Sequence, residues 1–394
     1  MSLETSRALV ARLLEAGAGL DSGAGLDPGA VATLARALDE AGMPWPAAAC
    51  RRLHMALDER AGAALGEALT ELHARASASG SVDALGRADV SAPLPPLRLV
   101  SLGARIVRDG AALRARVFLA SSSEVLVFEE RWPARADGPR DPSQHQVWRG
   151  LPLGALARGQ LVAEGAHREP GRRVRLLRAS TSVTPQSGAW DTLPVSRARV
   201  RDLVMPTPRW LGHPAGSFAA LPVTSVRGLG FARGSQTLHA EVLDADGDAL
   251  AIALPHRGET PGAVDVLARA LRERPRWIAG PLEARAGRPT LIPTAVVTDR
   301  VHAIDLDPAP RADLPVVIPA ARPLVPAIER AIDALDGLAL EGLARAEPSA
   351  ALPPRVDALE EAGLSRCADA LARVSDPETW ITASIRLRLA RHLA

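Results

Sequence analysis

The sequence predicts an α+β, multidomain chain in which helical ends flank two copies of one small β unit. Three observations predict it. The apolar period is 3.6 at both ends and 2 in the middle. The order strand, strand, strand, helix, strand, strand occurs twice, over 97–185 and 218–304. Two connecting stretches, 76–96 and 186–217, are rich in turn-forming residues and Pro. A chain of 394 residues is long enough for several cores.

Residues 1–75 form the first helical domain. "SRALVARLLEAG" sets Leu9, Val10, Leu13 and Leu14 on one face and stops at Gly17. Asp27-Pro28 reads as an N-cap followed by Pro at the first helical position. "AVATLARALDEAG" and "PAAACRRLHMALDERAGAALGEALTELHARA" follow as helices, and 76–96 is a linker.

From 97 the alternation is that of strands. "LRLVSLGARIVRDG" and "AALRARVFLASSS" meet across a Gly turn, and "EVLVFEERW" is the third strand. After a polar excursion over 133–150, "LPLGALAR" is a helical turn and "GQLVAEGAHREPGRRVRLLRASTSV" a hairpin. Residues 186–217 connect to the second copy. There, three strands precede the helix "AVDVLARALRER", and "RPRWIAGPLEARAGRPTLIPTAVVTD" closes the unit as a hairpin.

The copies echo each other in residues as well as in order. Leu113, Ala115 and Val117 match Leu238, Ala240 and Val242; Val162-Ala163 and Gly171-Arg172 match Ile278-Ala279 and Gly287-Arg288. This arrangement resembles the OB-fold, a five-stranded Greek-key barrel with a helix between its third and fourth strands. The order alone also fits other small β-barrels. What the resemblance implies is two OB-like five-stranded barrels, 97–185 and 218–304, and a binding face on strands two and three with their neighbouring loops.

Residues 305–394 form a second helical domain. Leu38-Asp39-Glu40-Ala41-Gly42-Met43 resembles Leu359-Glu360-Glu361-Ala362-Gly363-Leu364, each followed by a Cys and a Leu. The physical reading is a helix ended by Gly, with the next residue packing back on the last turn. Either the two ends are related hairpins that pack together, or this is a common Ala-rich helix–Gly–helix pattern.

Charge separates the segments. Residues 97–185 hold 15 Arg against 8 acids, +7, whereas 1–96 and 305–394 are each −4 and 218–304 is +1. The chain has no Lys, Asn or Tyr. Its Arg usage therefore follows a composition bias that reaches every segment.

Several chemistries find no support. Asp244, Asp246 and Asp248 lie close in "LDADGDAL". Gly247 is then fourth and Pro255 twelfth, against the calcium-loop pattern, so an Asp-Gly turn is expected. The nine His form no metal-ligand spacing. Gly228, Gly230 and Gly234 stand between strands and miss the dinucleotide spacing. No nucleophile motif occurs, so the expectation is a non-enzymatic protein without metal or cofactor. Cys50 and Cys367 are expected as buried packing residues. With two Cys, no apolar run of 18 residues and Glu4 and Glu15 near the start, a cytoplasmic, bacterial-type protein with no membrane partner is expected.

The basic segment carries the sharper expectation. If Leu113, Ala115 and Val117 face the core, then Arg114, Arg116 and Phe118 share the other face. Arg131 and Trp132 end the third strand, and Arg168, Arg172, Arg173, Arg175 and Arg178 cluster at the last hairpin. Cations along phosphates and rings under bases are what single-stranded DNA or RNA requires. The second expectation is an assembly or adaptor subunit of a multiprotein complex, with protein partners on the barrels and the acidic helical ends.

Overall fold

The computed structural model describes the chain apart from residues 1–2, 17–27, 79–81, 88, 90, 123, 135–140, 149, 164, 177–180, 185–189, 191–192, 194–198, 209, 211, 214–215, 286, 309–310, 318–323, 344, 347 and 394. Helices α1 (Leu3–Ala16), α2 (Pro28–Glu40), α3 (Pro44–Asp58), α4 (Gly62–Ser77) and the short α5 (Val82–Leu85) open the chain. The first β unit holds β1 (Ala92–Leu94), β2 (Leu97–Asp109), β3 (Ala112–Ala120) and β4 (Val125–Pro133). It continues with β5 (Gln146–Trp148), β6 (Leu151–Pro152), α6 (Leu153–Leu156), β7 (Gln160–Ala163), β8 (Ala166–Glu169), β9 (Arg173–Leu176) and β10 (Thr181–Thr184).

The second β unit holds β11 (Ser217–Pro222), β12 (Ser225–Ala232), β13 (Thr237–Leu243), β14 (Ala249–Pro255) and α7 (Ala263–Arg272). Then come β15 (Trp277–Arg285), β16 (Arg288–Leu291), β17 (Ala295–Val297) and β18 (Val301–Ala303). The chain ends in α8 (Leu324–Glu341), α9 (Pro348–Ala351), α10 (Pro353–Glu361), α11 (Ser365–Ala372) and α12 (Pro377–Leu393). No helix among the described residues is long and apolar enough to cross a membrane.

One pairing pattern serves both β units. In the first, β2–β3 and β3–β4 are antiparallel, β4–β9 is parallel, β8–β9 is antiparallel, and β7 returns antiparallel to β2. In the second, β12–β13 and β13–β14 are antiparallel, β14–β16 is parallel, β15–β16 is antiparallel, and β15 returns antiparallel to β11. Alternation fills the interiors. Leu113, Ala115 and Val117 of β3 are buried with Ile106, Leu126 and Phe128, and Leu153 and Leu156 of α6 cover that core. Leu238, Ala240 and Val242 do the same in the second unit, under Val264, Leu267 and Leu271 of α7.

A further core lies between the units. Val100, Leu102, Phe118, Ala120, Val125 and Val127 pack against Ala220, Ala279, Ala295, Val297 and Val301, joined by Trp190 and Leu193 of the connector. Hydrogen bonds tie the same seam. Thr294 Oγ1 donates to the Leu102 carbonyl at 2.7 Å, and the Ile106 N–H donates to Asp305 Oδ2 at 2.7 Å. Gly103, at φ +90°, sits where β2 shifts register, and a Cβ there would come within 2.2 Å of the Thr294 carbonyl oxygen. Only glycine permits both that backbone and that approach.

Three boundaries differ from the sequence reading. The stretch 76–96 is not a free linker: α5 buries Leu85 in the helical core, and β1 pairs with β8. The second unit runs past 304, because Phe231 of β12 exchanges backbone hydrogen bonds with Pro315 and Val317, and Ala312 and Leu314 pack on its core. The two helical ends share one core, in which Leu34, Cys50, Leu53 and Leu69 meet Ile328, Leu335, Leu371 and Trp380. Helices that each bury one apolar stripe cover one another in this way.

Candidate nucleic-acid interface

Cross-strand register builds the candidate site. On β3, Arg114 and Arg116 alternate with the core residues and point outward, as the spacing predicts. Arg114 stands opposite Arg131 of β4 on one side and Val107 of β2 on the other; Arg116 stands opposite Glu129 and Arg105. Directly opposed residues share a face. Arg105, Arg114, Arg116 and Arg131 therefore form one basic row. Val127 pairs with both Phe118 and Arg173, which places Arg173 on that face as well.

Carboxylates neutralise part of the row. Arg116 Nε lies 2.7 Å from Glu129, and Arg131 and Arg114 share Asp109 at 3.2 and 3.8 Å. These pairs are partly exposed, so each contributes little, about 0–1 kcal/mol. A guanidinium has five N–H donors, and one carboxylate leaves several of them for another anion.

The aromatic expectations require correction. Phe118 does share the face of Arg114 and Arg116. It is only 6% exposed, however, because that face passes into the seam and its ring packs on Phe218 at 4.8 Å. Trp132 stands opposite Leu113 and so lies on the core face, not the basic one. Its ring stacks on His145, with centroids 4.2 Å apart and planes at 18°. Burial lowers the His145 pKa, which favours the neutral imidazole against that ring. Neither aromatic is open to a base beside Arg114.

The last hairpin divides. Arg173 and Arg175 are exposed and pair with Glu169 at 3.7 and 3.2 Å. Arg172 occupies the turn at φ +56°, 3.9 Å from Glu124. Arg168 turns inward to a junction. It lies 3.0 Å from Asp89 Oδ1 and 3.2 Å from Glu124. Asp89 also accepts the Trp45 indole N–H at 3.0 Å and the Gly171 N–H. Arg75 lies 5.0 Å over the Trp45 ring. Although burial opposes it, hydrogen bonds from His213, Gly171 and Trp45 hold the Asp89 carboxyl below the usual range. Arg168 thus ties the helical domain to the first β unit, and its charge is already used. Arg178 lies outside the described residues.

The sequence reading missed Arg105. Its signal was present: the turn that pairs Asp109 with Ala112 sets Arg105 opposite Arg116. The Asp-Gly turn and the burial of both cysteines follow the sequence reading. The Asp244, Asp246 and Asp248 carboxylates converge within 4.8 Å. Asp244 accepts the N–H groups of Asp246, Asp248 and Val200 at 3.0 Å, and Arg199 and Arg201 take Asp246. This is turn chemistry. Cys50 and Cys367 are buried, and burial pushes the Cys50 thiol up to about 12.

Fold and site define an α+β protein that carries an OB-fold domain: residues 215–324 match the family model of the YehQ C-terminal OB-fold domain. A curated relative is Protein YehQ of Escherichia coli (strain K12). It is 29% identical over 243 residues, which cover 57% of this chain and 39% of YehQ. The chain thus aligns with less than half of that relative's length.

Three solved structures resemble 51% of the chain at 8–9% identity. One is titled as the molecular basis for abrogation of activation of pro-inflammatory cytokines (TM-score 0.25, 88% of that chain). Another is titled structural mimicry for functional antagonism (TM-score 0.22, 90%). The third is the Ifi202 HINa domain in complex with 20-bp dsDNA (TM-score 0.23, 93%). Scores of that size do not define a fold.

Proposed function

We propose that this protein is a non-enzymatic, cytoplasmic binder of single-stranded nucleic acid. Two OB-like five-stranded barrels stand in tandem in this reading, and the strand lies on the outer face of β2, β3, β4 and β9. The observation that carries it is the cross-strand register of Arg105, Arg114, Arg116 and Arg131. The +7 charge of residues 97–185 supports it, as does the pairing pattern shared with the segment that matches an OB-fold family. With Phe118 buried and Trp132 turned away, guanidinium planes are the surfaces on which bases rest.

Affinity in this reading is mainly electrostatic. A labelled single-stranded oligonucleotide titrated across a salt series tests it. Log K falls with log salt by about 0.7 per phosphate contact. Replacing Arg114 and Arg116 together by Ala weakens binding and flattens that slope, whereas Trp132→Ala leaves both unchanged. An intact protein with no oligonucleotide affinity at low salt would defeat the proposal.

One observation favours a second reading, that of an adaptor subunit. The helices of residues 1–85 and 324–394, segments of charge −4 and −3, close into one domain around a common core, an acidic body suited to a basic protein partner. The assembly mass of the protein in cell extract, compared with that of the purified chain, tests this reading.

A further inference from the structure

We infer that the seam between the two β units carries a phosphate-docking site centred on Arg105, through which one strand passes from the first unit to the second. This deepens the proposed function and rests on it. Four guanidiniums gather at the seam. Arg116 stands opposite Arg105 in the sheet, Arg257 donates to the carbonyl of the adjoining Ile106 at 2.5 Å, and Arg285 acts on the charge of Arg105 from the second unit. Three of the four have their own carboxylate: Arg116 with Glu129 at 2.7 Å, Arg257 with Asp305 at 2.6 Å and Arg285 with Glu283 at 2.7 Å. Arg105 has no carboxylate partner among the described residues, so the cluster carries one uncompensated positive charge.

That charge is costly where it sits. Arg105 is half-buried, like charges directly opposite in a sheet repel, and a guanidinium cannot shed its proton. Burial first, and then Arg257, depress its pKa, while Asp305 and Glu283 act in the other direction. An incoming phosphodiester would supply the missing counter-charge in a partly desolvated setting, where charge-assisted hydrogen bonds are strong. Beyond Arg105, Arg285 and Arg288 are 38% and 58% exposed and continue the basic track onto the second unit.

The test is fluorescence anisotropy with single-stranded oligonucleotides of about 6 and about 20 nucleotides, within and beyond the reach of one OB-fold. Each is titrated across a salt series. Arg105→Gln should lower the salt slope for the long strand by about 0.7, one phosphate contact, while melting at or above the wild-type temperature. Arg105→Lys should retain the slope. Arg285→Gln with Arg288→Gln should weaken the long strand and spare the short one. A wild-type slope for Arg105→Gln, alongside a flattened one for the Arg114/Arg116 double variant, would overturn the seam site and leave the proposed function standing. Equal behaviour of the Arg285/Arg288 variant on both lengths would also overturn it. No binding by the intact protein would overturn both.

Discussion

Phe118 shows how one side chain changes role when a neighbouring unit covers it. Its ring is a wedge between the β units, so Phe118→Ala should cost about 3–5 kcal/mol in urea unfolding, the range for a buried aromatic. The two thiols test burial directly. Burial pushes Cys50 up to about 12 and raises Cys367 too, so a charged thiol reagent at pH 8 should label neither quickly in the native protein and both in denaturant. Asp336 offers a pH test. It pairs with Arg388 inside the helical core, and burial, acting against Arg388, pushes its carboxyl up to about 7. Burial also lowers the Arg388 pKa. A carboxyl whose folded pKa is raised contributes stability that is complete below its unfolded value, 3.8, and lost as pH rises through about 7. Asp336→Asn lacks that loss. The wild-type advantage over Asp336→Asn in melting temperature should therefore shrink from pH 4 to pH 7; a constant difference would contradict it.

At the scale of elements, glycine placement decides two different things. Gly42 and Gly363 both end helices at positive φ. Met43 N–H donates to the Leu38 carbonyl and Leu364 N–H to that of Leu359, the six-to-one bond of a Schellman cap. Among the described residues a Cβ at Gly42 would meet nothing within 4 Å, so Gly42→Ala should cost only the left-handed strain, about 1–2 kcal/mol. Gly103→Ala adds a backbone clash across the seam to the same strain. It should cost about 1–3 kcal/mol more, and urea unfolding of the two variants side by side measures the difference. The caps were legible because they are local: six residues contain the whole motif. The Gly103 contact was not, since its partner Thr294 lies far along the chain.

At the scale of the molecule, the chain leaves one helical domain at α5, builds two β units, and returns to complete the domain it left. Helices α1 and α4 of the first end pack on α8 and α12 of the last as well as on their own segment, and Leu69 of α4 shares one core with Leu335 and Trp380. A fragment of residues 1–85 should therefore give little cooperative unfolding by circular dichroism alone, and regain it when co-expressed with residues 324–394. An independently cooperative 1–85 fragment would show that each end carries its own core. The acidic balance of both ends, read from the sequence as two flanks, is thus the charge of one body.

The sequence by itself determined the local order of this protein: helical ends, two runs of alternating strands, the Asp-Gly turn at Asp244, the capped helix ends and the outward Arg114 and Arg116. Each rests on a period or a motif that a short segment contains in full. Only the tertiary structure decided which apolar faces became seams, which arginines met carboxylates, and that Arg105 met none among the described residues. Those outcomes depend on residues brought together from distant parts of the chain. A strand's alternation states which side chains share a face; what arrives to cover that face is set by the free energy of burying it against another unit.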